Sequence, residues 1–244
     1  MKSPLDQFDI ISIVPIFIGY KEMTVTNLTV TLFALILIGV SIFYMLYEDR
    51  IVPRNYQITL ESIFIFIYRL VYEQIGKSGL IYFPFIFSLF TFILILNFIS
   101  LLPFGFAVTS HIIWTVYFSL SICLGVFILG ILKHKIYFFK LFVPEVPLFL
   151  YPMMIILEIF SYIIRSFSLA IRLSANILAG HTLVHIIASF VSYLCSVKTF
   201  LVIIPLLLLF AIFVLEFGVA FLQAYIFVTL TSIYINEALL LGGH

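Results

Sequence analysis

Long apolar runs, broken by short polar clusters, set the pattern of this chain. Residues 24–47 hold no charged side chain and are long enough for one helical crossing of a bilayer, which takes about 20 apolar residues. Residues 79–132 also lack Asp, Glu, Lys and Arg, too long a stretch for one crossing. The break at Pro103-Phe104-Gly105 divides it into a hairpin of two spans, 80–102 and 112–132. Residues 148–241 are apolar again, with a turn predicted near Ser196-Val197-Lys198. The halves 148–195 and 199–241 are each about twice as long as a perpendicular span requires. Helices of that length must tilt steeply, bend, or run partly along the membrane.

Residues 50–77 differ. Arg50, Arg54, Gln57, Glu61, Tyr68, Arg69, Tyr72 and Glu73 fall on one side of a helical wheel, and Ile58, Ile63, Ile67 and Leu70 lie toward the other. Pro53 suits a first helical turn. The pattern predicts an amphipathic helix on the membrane surface; the alternative is a poorly hydrophobic span. Gly76-Lys77-Ser78 resembles the end of a phosphate-binding loop, but the earlier glycine position holds Val71 and no strand is predicted before it.

Composition removes the remaining classes. With 64% hydrophobic and 9% charged residues the chain lacks the polar surface of a water-soluble fold, and a net charge of +1 gives nothing to neutralise nucleic acid. Cys123 and Cys195 both sit in apolar runs, which excludes a disulfide framework and a Cys-based metal cluster. Residues 1–13 lack the apolar core and small-residue end of a targeting segment; direct insertion and a presequence already removed both remain open. The expectation is a single all-α membrane domain over 1–244, with five membrane-embedded helices and one surface helix. Of the twelve Lys and Arg residues, seven (Arg50, Arg54, Arg69, Lys77, Lys133, Lys135, Lys140) lie on one side of that topology and three (Lys2, Lys21, Lys198) on the other. Basic residues favour the inner side, so the N-terminus is placed outside and the C-terminus inside.

The other two cations lie within the last hairpin, where every ionisable group costs about 2.5–3.5 kcal/mol on insertion scales. Its first helix carries Glu158, Arg165, Arg172, Asn176, His181 and His185; its second carries Glu216, Gln223 and Glu237. Glu158, Arg165 and Arg172 are seven residues apart, so each is rotated only about 20° from the last and all share a stripe. His181 and His185 occupy the opposite face. Antiparallel packing predicts three layers: Glu216 with His181 and His185 outward, Arg172 with Gln223 midway, and Glu158 with Glu237 inward. Histidine and carboxylate exchange protons near neutral pH, whereas arginine effectively never deprotonates. The pattern therefore describes two proton paths separated by a fixed cation. Arg165 is read equally as a partner that cancels the charge of Glu158. His181 and His185 have the i, i+4 spacing of a metal site, but without a third ligand no metal is expected.

The run Ala170-Ile171-Arg172-Leu173-Ser174-Ala175-Asn176-Ile177-Leu178-Ala179-Gly180-His181 resembles subunit a of the rotary F-type ATP synthases, called subunit 6 in mitochondria. SPLDQF at 3–8, YEQIG at 72–76, LLPFGFAVTSH at 101–111, Leu157-Glu158 and LEFGVAFLQAY at 215–225 extend the resemblance over most of the chain. It implies that Arg172 is the essential stator arginine facing a ring of c subunits, with Asn176 and Gln223 beside it. His181, His185 and Glu216 would serve the outer half-channel, Glu158 and Glu237 the inner one. The long hairpin would lie steeply inclined against the c-ring. Peripheral-stalk and other Fo membrane subunits, lipid and protons are the implied partners, with no cofactor and no catalysis by the chain itself. The His181/Glu216 arrangement resembles the mitochondrial branch, which implies the inner membrane, with the N-terminus in the intermembrane space and the C-terminus in the matrix. Two departures stand out: the connecting loop reads Pro144-Glu145-Val146-Pro147-Leu148 where a glycine is usual, and Arg165 is not general in the family. A self-contained proton-coupled transporter would need an internal repeat and broken helices, neither of which is found. A structural anchor subunit would leave Arg172 dispensable.

Overall fold

The computed structural model describes residues 6–18, 21–47, 55–102, 105–135, 151–197 and 202–239. The predicted breaks at Pro103-Phe104 and Lys198, the Pro144–Leu148 connection, and the start of the surface helix at Arg50 and Pro53 lie outside them, as does part of the SPLDQF match.

A 3-10 turn, Asp6–Phe8, leads into a two-stranded antiparallel sheet of β1 (Ser12–Ile18) and β2 (Lys21–Thr26). Among the described residues six α-helices follow: α1 (Asn27–Tyr47), α2 (Asn55–Ile75), α3 (Phe83–Leu101), α4 (Ile112–His134), α5 (Tyr151–Ser196) and α6 (Ile203–Leu239). The stretch read as a span from residue 24 therefore begins with three strand residues. The capping chemistry explains the later start of α1. Thr26 Oγ1 accepts a hydrogen bond from the Thr29 amide, and Thr29 Oγ1 donates to the Thr26 carbonyl over 2.7 Å. A hydroxyl that satisfies the open amides of a first turn marks a helix N-terminus. The side chain of Asn27 then ties the preceding segment down, donating to the Asp9 carbonyl at 3.0 Å and accepting from the Ile11 amide at 3.3 Å.

Among the described residues four helical stretches are long and apolar enough to cross a membrane: Lys77–Leu101, Ile112–His134, Met153–Ser196 and Ile203–Leu239. The apolar part of α1, Asn27–Ile42, is shorter. Pro84 and Pro205 each fall in a first helical turn, where their missing amide costs nothing. α2 ends at Gly76, whose amide donates to the Tyr72 carbonyl and whose φ of 76° is one that glycine adopts without strain. That settles the role of the Gly76-Lys77-Ser78 lookalike as a helix stop.

The chain divides into two compact units. The first comprises Met1–Val52, Thr91–Ile112 and Leu173–Ala224. Between helices in lipid the hydrophobic effect supplies little, so packing and hydrogen bonds must hold a unit together, at about 0.6–2 kcal/mol per interhelical bond. Here Asn97 of α3, fully buried, donates to the Ala220 carbonyl of α6 at 3.3 Å, and the Phe98 and Phe217 rings stack 4.8 Å apart. Ser174 of α5 donates to the Ser110 carbonyl at 2.8 Å.

The second unit comprises Pro53–Phe90, Ile113–Arg172 and Tyr225–His244. Ile67, Leu70, Val71 and Ile75 form the buried stripe of α2, while Ile58 and Ile65 stay exposed. Ser119 of α4 donates to the Ser166 carbonyl of α5 at 2.8 Å, and the Phe118 ring stacks on Phe227 of α6. Lys133 Nζ donates to the Leu239 carbonyl at 3.2 Å, with His134 Nε2 at 3.3 Å from the same oxygen. A lysine ammonium on the open carbonyls of a helix C-terminus opposes its dipole. The C-terminal ends of α4 and α6 therefore meet.

Candidate functional site

In the first unit, Asn176 Nδ2 donates to Gln223 Oε1 at 3.1 Å, joining α5 to α6. Gln223 is 2% exposed, and its Nε2 has no hydrogen-bond partner among the described residues. One turn further along α5, Gly180 faces Glu216. A Cβ at this glycine would overlap Glu216 Oε1 and come within 3.1 Å of the carboxyl carbon. Glu216 thus lies against the backbone immediately before His181. Oε1 of Glu216 and Nε2 of His181 are both buried without a partner among the described residues. The Phe8 ring meets the His181 imidazole edge-on at 6.4 Å, so the Asp6–Phe8 turn reaches this cluster. Neither residue type nor spacing pointed to Phe8. His185 is exposed one turn beyond His181. Among the described residues no group of three or more His, Cys, Asp and Glu side chains could hold a metal ion.

In the second unit, Arg165 Nη1 donates to Glu237 at 3.0 Å from Oε2 and 3.2 Å from Oε1. The guanidinium carbon lies 5.3 Å from the centroid of the Tyr234 ring, a cation–π distance. Glu237, expected in the inward layer with Glu158, forms its ion pair with Arg165. Arg165 does not pair with Glu158 within α5, because seven residues carry Glu158 about 10.5 Å along the helix axis, beyond the reach of an i, i+4 pair. Glu158 is half-buried and makes no ion pair among the described residues.

Arg172 is exposed on α5 and lines an open groove of about 450 Å³ with Ile164, Phe167, Ser168 and Ile171. Among the described residues no carboxylate forms an ion pair with it. Apolar walls around a permanent charge make that charge costly unless a counter-ion is supplied.

The family model described as the ATP synthase A chain matches residues 27–236, from the first residue of α1 nearly to the end of α6. The chain belongs to the ATP synthase A chain family. It is accordingly a proton-translocating Fo subunit with no catalytic centre of its own. Three relatives are each named ATP synthase subunit a. That of Acanthamoeba castellanii is 40% identical, with 96% of this chain and 96% of the relative aligned. That of Chondrus crispus is 42% identical over 97% and 96%, and that of Neurospora crassa 43% identical over 97% and 94%.

Proposed function

We propose that this chain is the stator of a mitochondrial ATP synthase, conducting protons past a rotating ring of c subunits through two half-channels that do not meet. Arg172 separates them. The observation that carries this reading is the state of Arg172 itself: exposed, without a carboxylate partner among the described residues, and set in an apolar groove of a membrane helix. Such a cation needs a carboxylate brought from another chain, and a ring that presents one carboxylate after another meets that need.

His181, His185 and Glu216 serve the outer half-channel. Glu216 lies against Gly180, the residue before His181, and a carboxyl and an imidazole are groups that pass protons near neutral pH. Glu158 and Glu237 serve the inner half-channel. Asn176 and Gln223 flank the arginine and give it a polar, uncharged neighbourhood. The guanidinium attracts an ionised ring carboxylate, and since it does not release its own proton, a proton cannot hop directly from one side to the other. The ring must turn to carry it.

The inner mitochondrial membrane is the site of action, with the N-terminus in the intermembrane space and the C-terminus in the matrix; peripheral-stalk subunits hold the chain still. The meeting of the α4 and α6 C-terminal ends supports a topology in which both helices end on the same side of the membrane.

Cross-linking tests the reading. Ser168 lines the groove one turn before Arg172. A Ser168→Cys variant, paired with a cysteine one turn from the carboxylate of a c subunit, should form disulfide adducts on mild oxidation of the assembled enzyme. Absence of adducts, when a cysteine on the opposite face of α5 does cross-link to another chain, would turn the groove away from the ring.

A further inference from the structure

Arg165 is a second permanent cation on the stripe that carries Arg172, two helical turns away. We propose that Arg165 and Glu237 act as one neutral unit, with Arg165 as a positioning residue that fixes the Glu237 carboxylate, and that Glu158 is the inner carboxylate that carries the proton. This rests on the two-half-channel reading and divides the inner half-channel between its two acids.

The geometry is specific. One nitrogen, Nη1, reaches both oxygens of Glu237 at 3.0 and 3.2 Å. Tyr234 lies three residues before Glu237 on α6, so the two project from one face, and the guanidinium sits against both. Tyr234 is only 6% exposed, which fixes the ring and with it the guanidinium. Glu158 has no such partner among the described residues and is free to change its protonation without stranding a cation.

The electrostatic consequence separates the two acids. A guanidinium does not lose its proton. Were Glu237 to take one up, Arg165 would be left as an uncompensated charge on the stripe of Arg172. The two side chains are 35% and 39% exposed, and within a membrane segment removing one half of an ion pair leaves the other charge without its partner, which costs more than deleting both. A ring carboxylate would then meet two attracting cations, and Arg165 would compete with Arg172 for it. An intact Arg165–Glu237 pair leaves Arg172 as the single attracting charge.

The test is a cycle of variants in the assembled enzyme, read as ATP-driven acidification of inverted membrane vesicles. Glu237→Gln should lower the pumping rate about tenfold, because it strands Arg165. Adding Arg165→Gln removes the stranded charge and should bring the rate back to within about threefold of the parent. Glu158→Gln should be equally slow and gain nothing from Arg165→Gln. The inference is overturned by a double variant no faster than Glu237→Gln, or by a Glu237→Gln enzyme that pumps normally. Should Glu237→Gln fail to assemble, the cycle runs from Arg165→Gln, whose defect Glu237→Gln should relieve; no relief overturns the inference there too. Arg172→Ala in the same vesicles keeps the two levels apart. If it pumps normally the stator reading fails; if it is silent and the double variant is not rescued, only the division between Glu158 and Glu237 fails.

Discussion

Asn176 and Gln223 are joined side chain to side chain across 3.1 Å, and this bond ties α5 to α6 one turn beyond Arg172. Both residues are amides, so the tie brings polarity without charge. Gln223 Oε1 is used and its buried Nε2 has no partner among the described residues, which leaves a donor available to a carboxylate or water.

A carboxylate at Gln223 should therefore be damaging out of proportion to its size. In Gln223→Glu the new anion would compete with the ring for Arg172, and a fixed partner worth about 1.4 kcal/mol in differential binding already means a tenfold shift. The expected result is loss of about tenfold or more in ATP-driven pumping, with normal amounts of assembled complex on native gels. Gln223→Asn should lose far less.

Gly180 sets the place of Glu216, and alanine there should displace it. The added methyl would overlap the Glu216 carboxyl, which has to swing away from the backbone next to His181. Gly180→Ala should slow proton uptake from the outer side several-fold, as Glu216→Gln and His181→Ala should, while assembly is kept. Unchanged synthesis rates in all three variants would make the outer cluster structural.

The helices themselves set a geometric demand. α5 and α6 contain 46 and 37 residues, about 69 and 56 Å of helix at 1.5 Å per residue, against a hydrocarbon core of about 30 Å. Upright, the start of α6 would stand in water with Leu206, Leu207 and Phe210 exposed. A steep incline keeps these residues in lipid. Leu207→Cys should then resist a membrane-impermeant maleimide in intact membranes. Rapid labelling would indicate an upright helix.

Block length and charge placement made much of this legible in the sequence. A membrane helix announces itself by composition, so α3 to α6 could be read nearly to their ends. The stripe of Glu158, Arg165 and Arg172 followed from the helical period alone. Two features did not. The β1–β2 hairpin was hidden because Ile, Val and Phe serve a strand as well as a span; the β-branched runs on either side of Gly19 were the available signal. The partner of Arg165 was hidden because the sequence does not set the register of antiparallel packing. Two turns of register separate Glu158 from Arg165 as the residue opposite Glu237, and the ion pair and the Tyr234 ring select Arg165.

Arg172 remains the point on which the account turns, and removing its charge is the most direct measurement. In inverted vesicles carrying Arg172→Ala, ATP should still be hydrolysed by the detached soluble head, but the assembled enzyme should acidify no lumen. Arg172→Lys should also fall short, because an ammonium on a membrane helix can shed the proton that a guanidinium keeps. ATP-driven acidification at the parent rate in Arg172→Ala would contradict the stator function outright.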